Sequence, residues 1–309
     1  MKVLVSGGAG FIGSHVVDLL IQSGHEPIVV DNLRTGNKEF VAQSARFFDV
    51  DIASPQIESV FVKEKPEVVI HLAAQVDVAF SIENPVEDAN QNILGTIRLL
   101  DCSHKYHVKK FIFSSSCAVY GEKDDCNLKE TFPLQPRSFY GISKLSSELY
   151  IENFSQLFNL PYTILRYSNV YGPRQSSKGE GGVISVFLKK VLNGEAPYIF
   201  GDGEQTRDFV FVKDVANANV LSIEKGSNEI FNIGTNSKTS INDLFQNITS
   251  LTSSNLTPIL MPARKGDIQY SRLDNSKAAK LLGWNPVFDL KTGLNETLNY
   301  YRRTINPGH

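Results

Sequence analysis

Cysteine is scarce in this chain of 309 residues: Cys102, Cys117 and Cys126 are the whole set. An odd number without paired spacing makes neither a disulfide framework nor a zinc site, so no metal is expected. Such usage fits a reducing compartment, and a cytoplasmic location is expected. Charge of one sign is scarce too. Lys and Arg number 31 against 33 Asp and Glu, a formal net charge of −2. That balance offers no basic field to nucleic acid or to an acidic membrane surface. No apolar run approaches the ~20 residues of a membrane-spanning helix. Val3 to Val5 is too short for the apolar stretch of a secretory leader, and glycines follow at once, so no leader is expected. Internal repeats and low-complexity tracts are lacking as well. What is present, 41% hydrophobic and 21% charged residues, is the composition of a globular protein with length for one large domain or two smaller ones.

The apolar pattern alternates between two periods. Lys2 to Ser6 reads as a buried strand, Phe11 to Ser23 as a helix stopped by Gly24, and Pro27 to Val30 as a second strand. Further strand runs lie at Arg46 to Phe48, Val68 to Leu72, Phe111 to Ser114 and Tyr162 to Arg166. Helical stretches at Pro55 to Lys63, Pro85 to His104 and Tyr140 to Phe158 separate most of them. Strands alternating with helices predict an α/β fold of Rossmann type, a doubly wound parallel sheet covered on both faces. After Tyr171 the alternation breaks. Lys178 to Gly182 reads as a loop, Val183 to Leu192 as a helix, Pro258 to Met261 as a short extended segment, and the chain ends in a helix. Val210 to Val212 and Ile230 to Ile233 read as strands returning to the main sheet. No linker divides the halves. The expectation is a nucleotide-binding domain from 1–170 plus about 206–237, interleaved with a smaller C-terminal lobe from about 171–205 and 238–309.

Gly7, Gly10 and Gly13 stand between the first strand and the first helix, the context in which such spacing has meaning. The spacing suits a tight turn, close backbone approach to a pyrophosphate, and close helix–strand packing at a helix N-terminus. Asp31 ends the second strand, where a carboxylate accepts from ribose hydroxyls and repels a 2′-phosphate, favouring NAD over NADP. Arg34 lies near enough to soften that preference. Asp51 closes the third strand and is either an acceptor for an adenine amino group or a solvated loop residue. Tyr140 and Lys144 are four apart and share a helical face. An ammonium beside a phenol favours the phenolate, and such a tyrosine can take an alcohol proton near neutral pH.

Seven segments in order make the chain resemble the extended short-chain dehydrogenases that act on nucleotide sugars. They are Gly7 to Gly13, Asp31-Asn32-Leu33, His71 to Ala74, Ser114 to Gly121, Tyr140 to Lys144, Ser168 to Arg174 and Arg207 to Asp214. The resemblance runs nearly end to end and is nearest to the UDP-glucose/UDP-N-acetylglucosamine 4-epimerase branch. It implies Tyr140, Lys144 and Ser116 as the catalytic group, with Ser116 bonding the sugar 4-hydroxyl beside Tyr140. It implies an NAD site formed by Gly7, Gly10, Phe11, Ile12, Gly13, Asp31, Asn32, Asp51, Ile52, Leu72, Ala73, Ala74, Tyr140, Lys144 and Tyr167. For a UDP-sugar it implies Ser116, Asn169, Val183, Tyr198, Phe200, Arg207, Arg264, Asp267 and Ser271. Arg207 and Arg264 match diphosphate-binding positions, a task suited to paired charge-assisted bonds. Tyr198 and Phe200 resemble the strip that packs on uracil. A homodimer is implied, formed by the helices near Asn92 to His104 and Tyr140 to Phe158.

The resemblance also bears on the reaction. The family's 4,6-dehydratases carry Thr-Asp-Glu where this chain has Ser116-Cys117-Ala118, and its decarboxylases carry a glutamate at the Ala118 position. Those carboxylic acids are missing here, so an epimerase is implied, working through a 4-keto sugar with NAD regenerated in each cycle. Cys117 reads as a small packing residue. Four past Asp267 the resemblance places Ser271 near the sugar 2-substituent, where a small side chain leaves room for an N-acetyl group. UDP-glucuronate epimerisation, or another nucleotide-sugar oxidoreductase activity, is a same-fold alternative. A non-catalytic NAD sensor is the alternative of another class, and such proteins tend to lose the Tyr or the Lys.

Overall fold

A computed structural model describes residues 1–176, 182–263 and 268–305. In chain order it contains β1 (Lys2–Ser6), α1 (Phe11–Gln22), β2 (Glu26–Asp31), β3 (Arg46–Asp49), α2 (Ile57–Glu64), β4 (Val68–His71), α3 (Val78–Glu83), α4 (Pro85–Ala89) and α5 (Gly95–Lys105). A π-helical turn at Asn90–Leu94 joins α4 to α5. Then come β5 (Lys110–Ser116), α6 (Phe139–Phe158), β6 (Tyr162–Tyr167) and β7 (Asn169–Tyr171). The remainder is α7 (Val183–Leu192), β8 (Tyr198–Phe200), β9 (Thr206–Arg207), β10 (Phe209–Phe211), α8 (Val212–Leu221), β11 (Glu229–Ile233), β12 (Thr239–Ser240), α9 (Ile241–Thr252), β13 (Ile259–Met261) and α10 (Leu290–Ile305).

Seven strands form one sheet in the order β11-β6-β5-β4-β1-β2-β3, and every pairing in it is parallel. The alternation of side chains along a strand explains how one short run serves two cores. In β1, Val3 and Val5 join the core beneath α1 and α8, while Leu4 joins the core beneath α2, α5 and α6. On α1, Val16, Val17 and Leu20 are fully buried, each worth roughly 1.5–3 kcal/mol relative to exposure. β1 pairs with β2 on one side and β4 on the other, so successive crossovers leave in opposite directions. The carboxyl ends of β1 and β4 therefore open the crevice where such sheets bind ligands.

The C-terminal elements depart from expectation in one place. Val210 to Val212 does not return to the main sheet. Phe209–Phe211 pairs in parallel with β7, and Val212 already begins α8. The reason is packing: Val215, Ala216 and Ala218 on α8 complete the core against α1, a long-range contact that local propensity does not reveal. Ile230 to Ile233 does return, as the edge strand against β6. The helix expected over Pro85 to His104 is divided by the π-turn. A third core gathers α7, α9 and α10 around Tyr171, Phe209 and Phe211. The extended segment near Pro258 forms β13, paired in parallel with β8. Lys178 to Gly181 lie outside the described residues; Gly182, which ended that expected loop, caps α7. No helix among the described residues is long and apolar enough to cross a membrane.

Candidate active site

The glycine turn opens at Gly7 (φ +71°) at the end of β1. A Cβ on Gly13 would stand 2.0 Å from the Gly7 carbonyl oxygen, so only glycine lets α1 pack directly on the turn. Gly10 caps α1 without a side-chain bond, and the first turn, with Phe11 and Ile12, holds no acidic residue. Its N–H groups and dipole are thus left for an anion, which fits the pyrophosphate of a dinucleotide. Leu72 and Ala73, just past β4, lie against the turn, where a Cβ on Gly7 would stand 2.7 Å from the Ala73 nitrogen; Ala74 follows them. Ser6 Oγ accepts from the Ala73 N–H at 3.3 Å and bonds His71 Nδ1 at 2.7 Å, while His71 Nε2 meets Thr96 Oγ1 at 2.9 Å. Burial, with the Lys144 charge adding to it, pushes the His71 pKa well below its ordinary value, so this ring is a neutral strut.

Asp31 closes β2 nearly buried. Its carboxylate accepts from the N–H groups of Ala9 (3.0 Å) and Leu33 (2.9 Å). Burial raises its pKa and those two bonds oppose the rise. Arg34 is held by Glu87 at 2.8 Å and lies over the Phe80 ring, which draws it into a surface pair. Asp51 accepts from Asn32 Nδ2 (3.0 Å) and from the Ala53 N–H (2.8 Å), so it ties the loops after β2 and β3 together; Ile52 is buried beside it. Tyr167 is buried, and its hydroxyl is taken up by Asn219.

Ser138 Oγ caps α6 by accepting from the Gly141 N–H at 3.1 Å, which sets Tyr140 in the first turn of that helix. Any Cβ on Gly141 would lie 2.9 Å from the Ala118 carbonyl oxygen, so glycine lets α6 start against the turn that follows β5. That turn holds Ser116, whose Oγ accepts from the Ala118 N–H at 3.2 Å. Lys144 is 3% exposed; its Nζ donates to the Ser114 carbonyl oxygen at 2.8 Å and lies 5.9 Å from the centre of the Tyr140 ring. Burial pulls the Lys144 pKa down to about 8, while Asp88 and Glu148 support its charge. Tyr140, Lys144 and Ser116 are therefore brought together by α6 and the end of β5.

Apart from Ser116, the residues expected to hold the substrate are spread across the second half of the chain. Ser271 is 7% exposed, and its Oγ lies 3.9 Å from Cys117 Sγ, which places it across from the Ser116 turn. Burial raises the Cys117 thiol pKa, in keeping with a packing role. Asn169 on β7 pairs with Phe209 of β10, and its N–H donates to the Asp208 carbonyl. Arg207 lies on β9, with Nη1 donating to the Thr206 carbonyl oxygen at 2.9 Å. Val183 opens α7, half-buried. Tyr198 is exposed with Lys190 Nζ 5.0 Å from its ring centre, and Phe200 shares its side of β8 while Ile199 points into the core. Arg264 and Asp267 lie outside the described residues.

Sequence reasoning overlooked two sets of residues. Asp208 is fully buried and accepts from Thr235 N–H and Oγ1, Asn236 N–H and Leu273 N–H, fastening the segment that carries Ser271. Arg166, Asn232 and Glu148 are buried behind the Ser116 turn. A charged residue within the apolar run Tyr162 to Tyr167 was the available signal.

An anion-binding helix terminus at the switch point of a parallel sheet, beside a serine, a tyrosine and a buried lysine, defines a dinucleotide-dependent enzyme that acts on an alcohol or carbonyl. The chain belongs to the NAD dependent epimerase/dehydratase family, whose profile matches residues 3–234. Its cofactor is NAD. Three solved structures show how near the likeness is. UDP-glucose 4-epimerase of Thermotoga maritima, with UDP-glucose, is 49% identical with a TM-score of 0.97, covering 99% of this chain and 100% of that one. UDP-N-acetylglucosamine 4-epimerase of Methanobrevibacter ruminantium, in complex with UDP-N-acetylmuramic acid, is 36% identical with a TM-score of 0.94 over 98% of both chains. UDP-glucose 4-epimerase of Thermus thermophilus, in complex with NAD, is 37% identical with a TM-score of 0.93, covering 98% and 99%.

Proposed function

We propose that the protein interconverts the C4 epimers of UDP-hexoses, UDP-glucose with UDP-galactose, through a 4-keto intermediate. The observation that carries this reading is the Tyr140–Lys144 pair on α6 against a Ser116 turn that has Cys117 and Ala118 in place of acids. Elimination needs an acid and a base for C5 and C6; epimerisation needs one proton taken and returned. The turn from Gly7 to Gly13 holds the pyrophosphate, Asp31 the adenosine ribose, and Lys144 the nicotinamide ribose. NAD, when bound, accepts and returns the C4 hydride. Tyr140 Oη takes the proton of the sugar 4-hydroxyl and gives it back, Ser116 Oγ bonds the same oxygen, and the Lys144 charge favours the phenolate.

The lobe of about residues 171–205 and 238–309 is assigned to UDP, with Tyr198 and Phe200 against uracil and Arg264 and Asp267 on the diphosphate and ribose; Asn169 and Arg207 reach the diphosphate from the nucleotide-binding domain. Ser271 and Cys117 are small side chains 3.9 Å apart, and their size supports including UDP-GlcNAc and UDP-GalNAc as substrates. The likeness to the Methanobrevibacter enzyme supports that extension. The homodimer is assigned to the outer face of α6, where Ile142, Leu149, Tyr150 and Leu157 are exposed, Leu157 at 71%. A row of apolar side chains facing outward on a long helix supports that assignment. Purified protein should interconvert UDP-glucose and UDP-galactose without consuming free NADH, and Tyr140→Phe should lower kcat by about 100-fold or more while NAD still binds. A wild type that turns over no UDP-hexose in product analysis by NMR sinks the reading.

A further inference from the structure

Three residues at one level of the sheet break its apolar character. Ser115 on β5, Arg166 on β6 and Asn232 on β11 are register partners on adjacent strands, and none is more than 2% exposed. Ser115 and Arg166 meet Glu148 of α6, also buried. Arg166 grips Glu148 through Nη2 to Oε2 (2.6 Å) and Nε to Oε1 (3.0 Å), and Ser115 Oγ donates to the same Oε1. Glu148 stands one turn beyond Lys144 and two beyond Tyr140, on the same face of α6. In the other direction Arg166 Nη1 donates to Tyr120 Oη (3.0 Å), and Tyr120 Oη donates to Asn232 Oδ1 (2.7 Å). Asn232 Nδ2 donates to the carbonyl oxygens of Leu128 (2.8 Å) and Asp274 (3.2 Å). Leu128 bridges to Leu273, two residues from Ser271. One connected network thus runs from the catalytic helix to the wall of the sugar pocket.

Stability does not account for it. A buried ion pair roughly breaks even against desolvation, and apolar residues of similar volume often do better. What the network supplies is placement. The end of β5 is tied to α6 twice, by Lys144 to the Ser114 carbonyl and by Ser115 to Glu148, and these ties set Ser116 against Tyr140.

We propose that Glu148 and Arg166 are positioning residues of the epimerase, holding Tyr140 and Lys144 in register with Ser116 and with the Ser271 wall. The proposal rests on the 4-epimerase reading. Glu148 also faces Lys144 electrostatically. Its charge and that of Asp88 on α4 favour the ammonium; His71 on β4 is neutral, and the Arg166 guanidinium is engaged by Glu148. Removing the carboxylate should therefore move the alkaline limb of the kcat profile to lower pH, a response that packing alone does not produce.

The test pairs Glu148→Met with Arg166→Leu, which removes both charges and leaves no buried ion alone. The double variant is expected to melt cooperatively and bind NAD as wild type does. Its kcat for UDP-galactose should fall about tenfold or more, with KM changed far less, because misplacement acts on the transition state. Its alkaline limb should shift downward. Ser115→Ala is the second variant, a small change that cuts the strand–helix tie and leaves the charges in place. It should lower kcat without moving the pH profile. Either a double variant with wild-type kcat and pH profile, or a Ser115→Ala enzyme with undiminished kcat, overturns the proposal. An inactive wild type overturns the 4-epimerase reading instead, so the two failures are distinct.

Discussion

Lys144 Nζ donates to the Ser114 carbonyl oxygen at 2.8 Å, a buried ammonium bonded to the end of the strand that carries Ser116. The bond fixes where the charge sits relative to Tyr140. It also ties the chemistry of α6 to the stability of the fold.

The linkage is open to measurement. The Lys144 pKa falls from 10.5 to about 8 on folding, mainly through burial. Between those values the unfolded chain holds the proton and the folded chain does not, so stability rises with pH across that window. Relative to Lys144→Met, the cofactor-free wild type should gain about 3 kcal/mol of unfolding free energy between pH 8 and pH 10.5. Denaturant titrations of both proteins across this range check it. A constant difference would mean that Lys144 does not titrate there.

Ser271 Oγ lies 3.9 Å from Cys117 Sγ, beside the turn that the proposed function gives to the sugar. Ser271→Tyr should fill the space assigned to the acetamido group. Turnover of UDP-GlcNAc should fall by about 100-fold or more in kcat/KM while UDP-galactose is spared, since overlap rejects the larger group. Unchanged UDP-GlcNAc turnover would place Ser271 away from the 2-substituent.

Asp208 accepts from three backbone N–H groups and the Thr235 hydroxyl while fully buried. Asp208→Ala leaves those donors unpaired at roughly 1–3 kcal/mol each, so a total loss of at least about 3 kcal/mol is expected. Thermal melting reads it, and an unchanged Tm refutes it.

Arg34 is the nearest cation to the Asp31 carboxylate in the sequence, and Glu87 holds it. In an Asp31→Ala, Glu87→Ala double variant the repulsion of a 2′-phosphate is gone and Arg34 is released. Calorimetric titration should show NADP binding gained and NAD binding weakened, each by about tenfold. Equal loss for both cofactors would show that Arg34 does not reach the phosphate.

Features decided by near neighbours in the chain are readable from it. The glycine turn between β1 and α1 is one, and the Tyr140–Lys144 spacing with Ser138 ahead of it is another; each depends on geometry within a turn or two of helix. The inner parallel strands β1, β2, β4, β5 and β6 follow from apolar runs long enough to be buried on both faces, while the edge strand β3 is only half-buried. The place of Ile230 to Ile233 in the sheet follows in the same way.

Other features depend on what lies across the fold. α6 buries Gly141, Ser143, Lys144, Ser147 and Glu148 and turns Ile142, Leu149, Tyr150 and Leu157 outward, the reverse of what an amphipathic pattern implies. Ser114, Ser115, Asn92, Thr96 and Arg166 on other elements give that polar face its partners. Val212 starts a helix because α1 offers it a surface. Asp208, Asn232 and Glu148 acquire their roles from partners tens of residues distant. Residue type and spacing set the turn, the periodicity and the reactive pair, because those forces act over a few residues. Which polar groups are buried, and what satisfies them, is set by long-range pairing, because a buried hydrogen bond needs a partner that only the assembled chain brings within 3 Å.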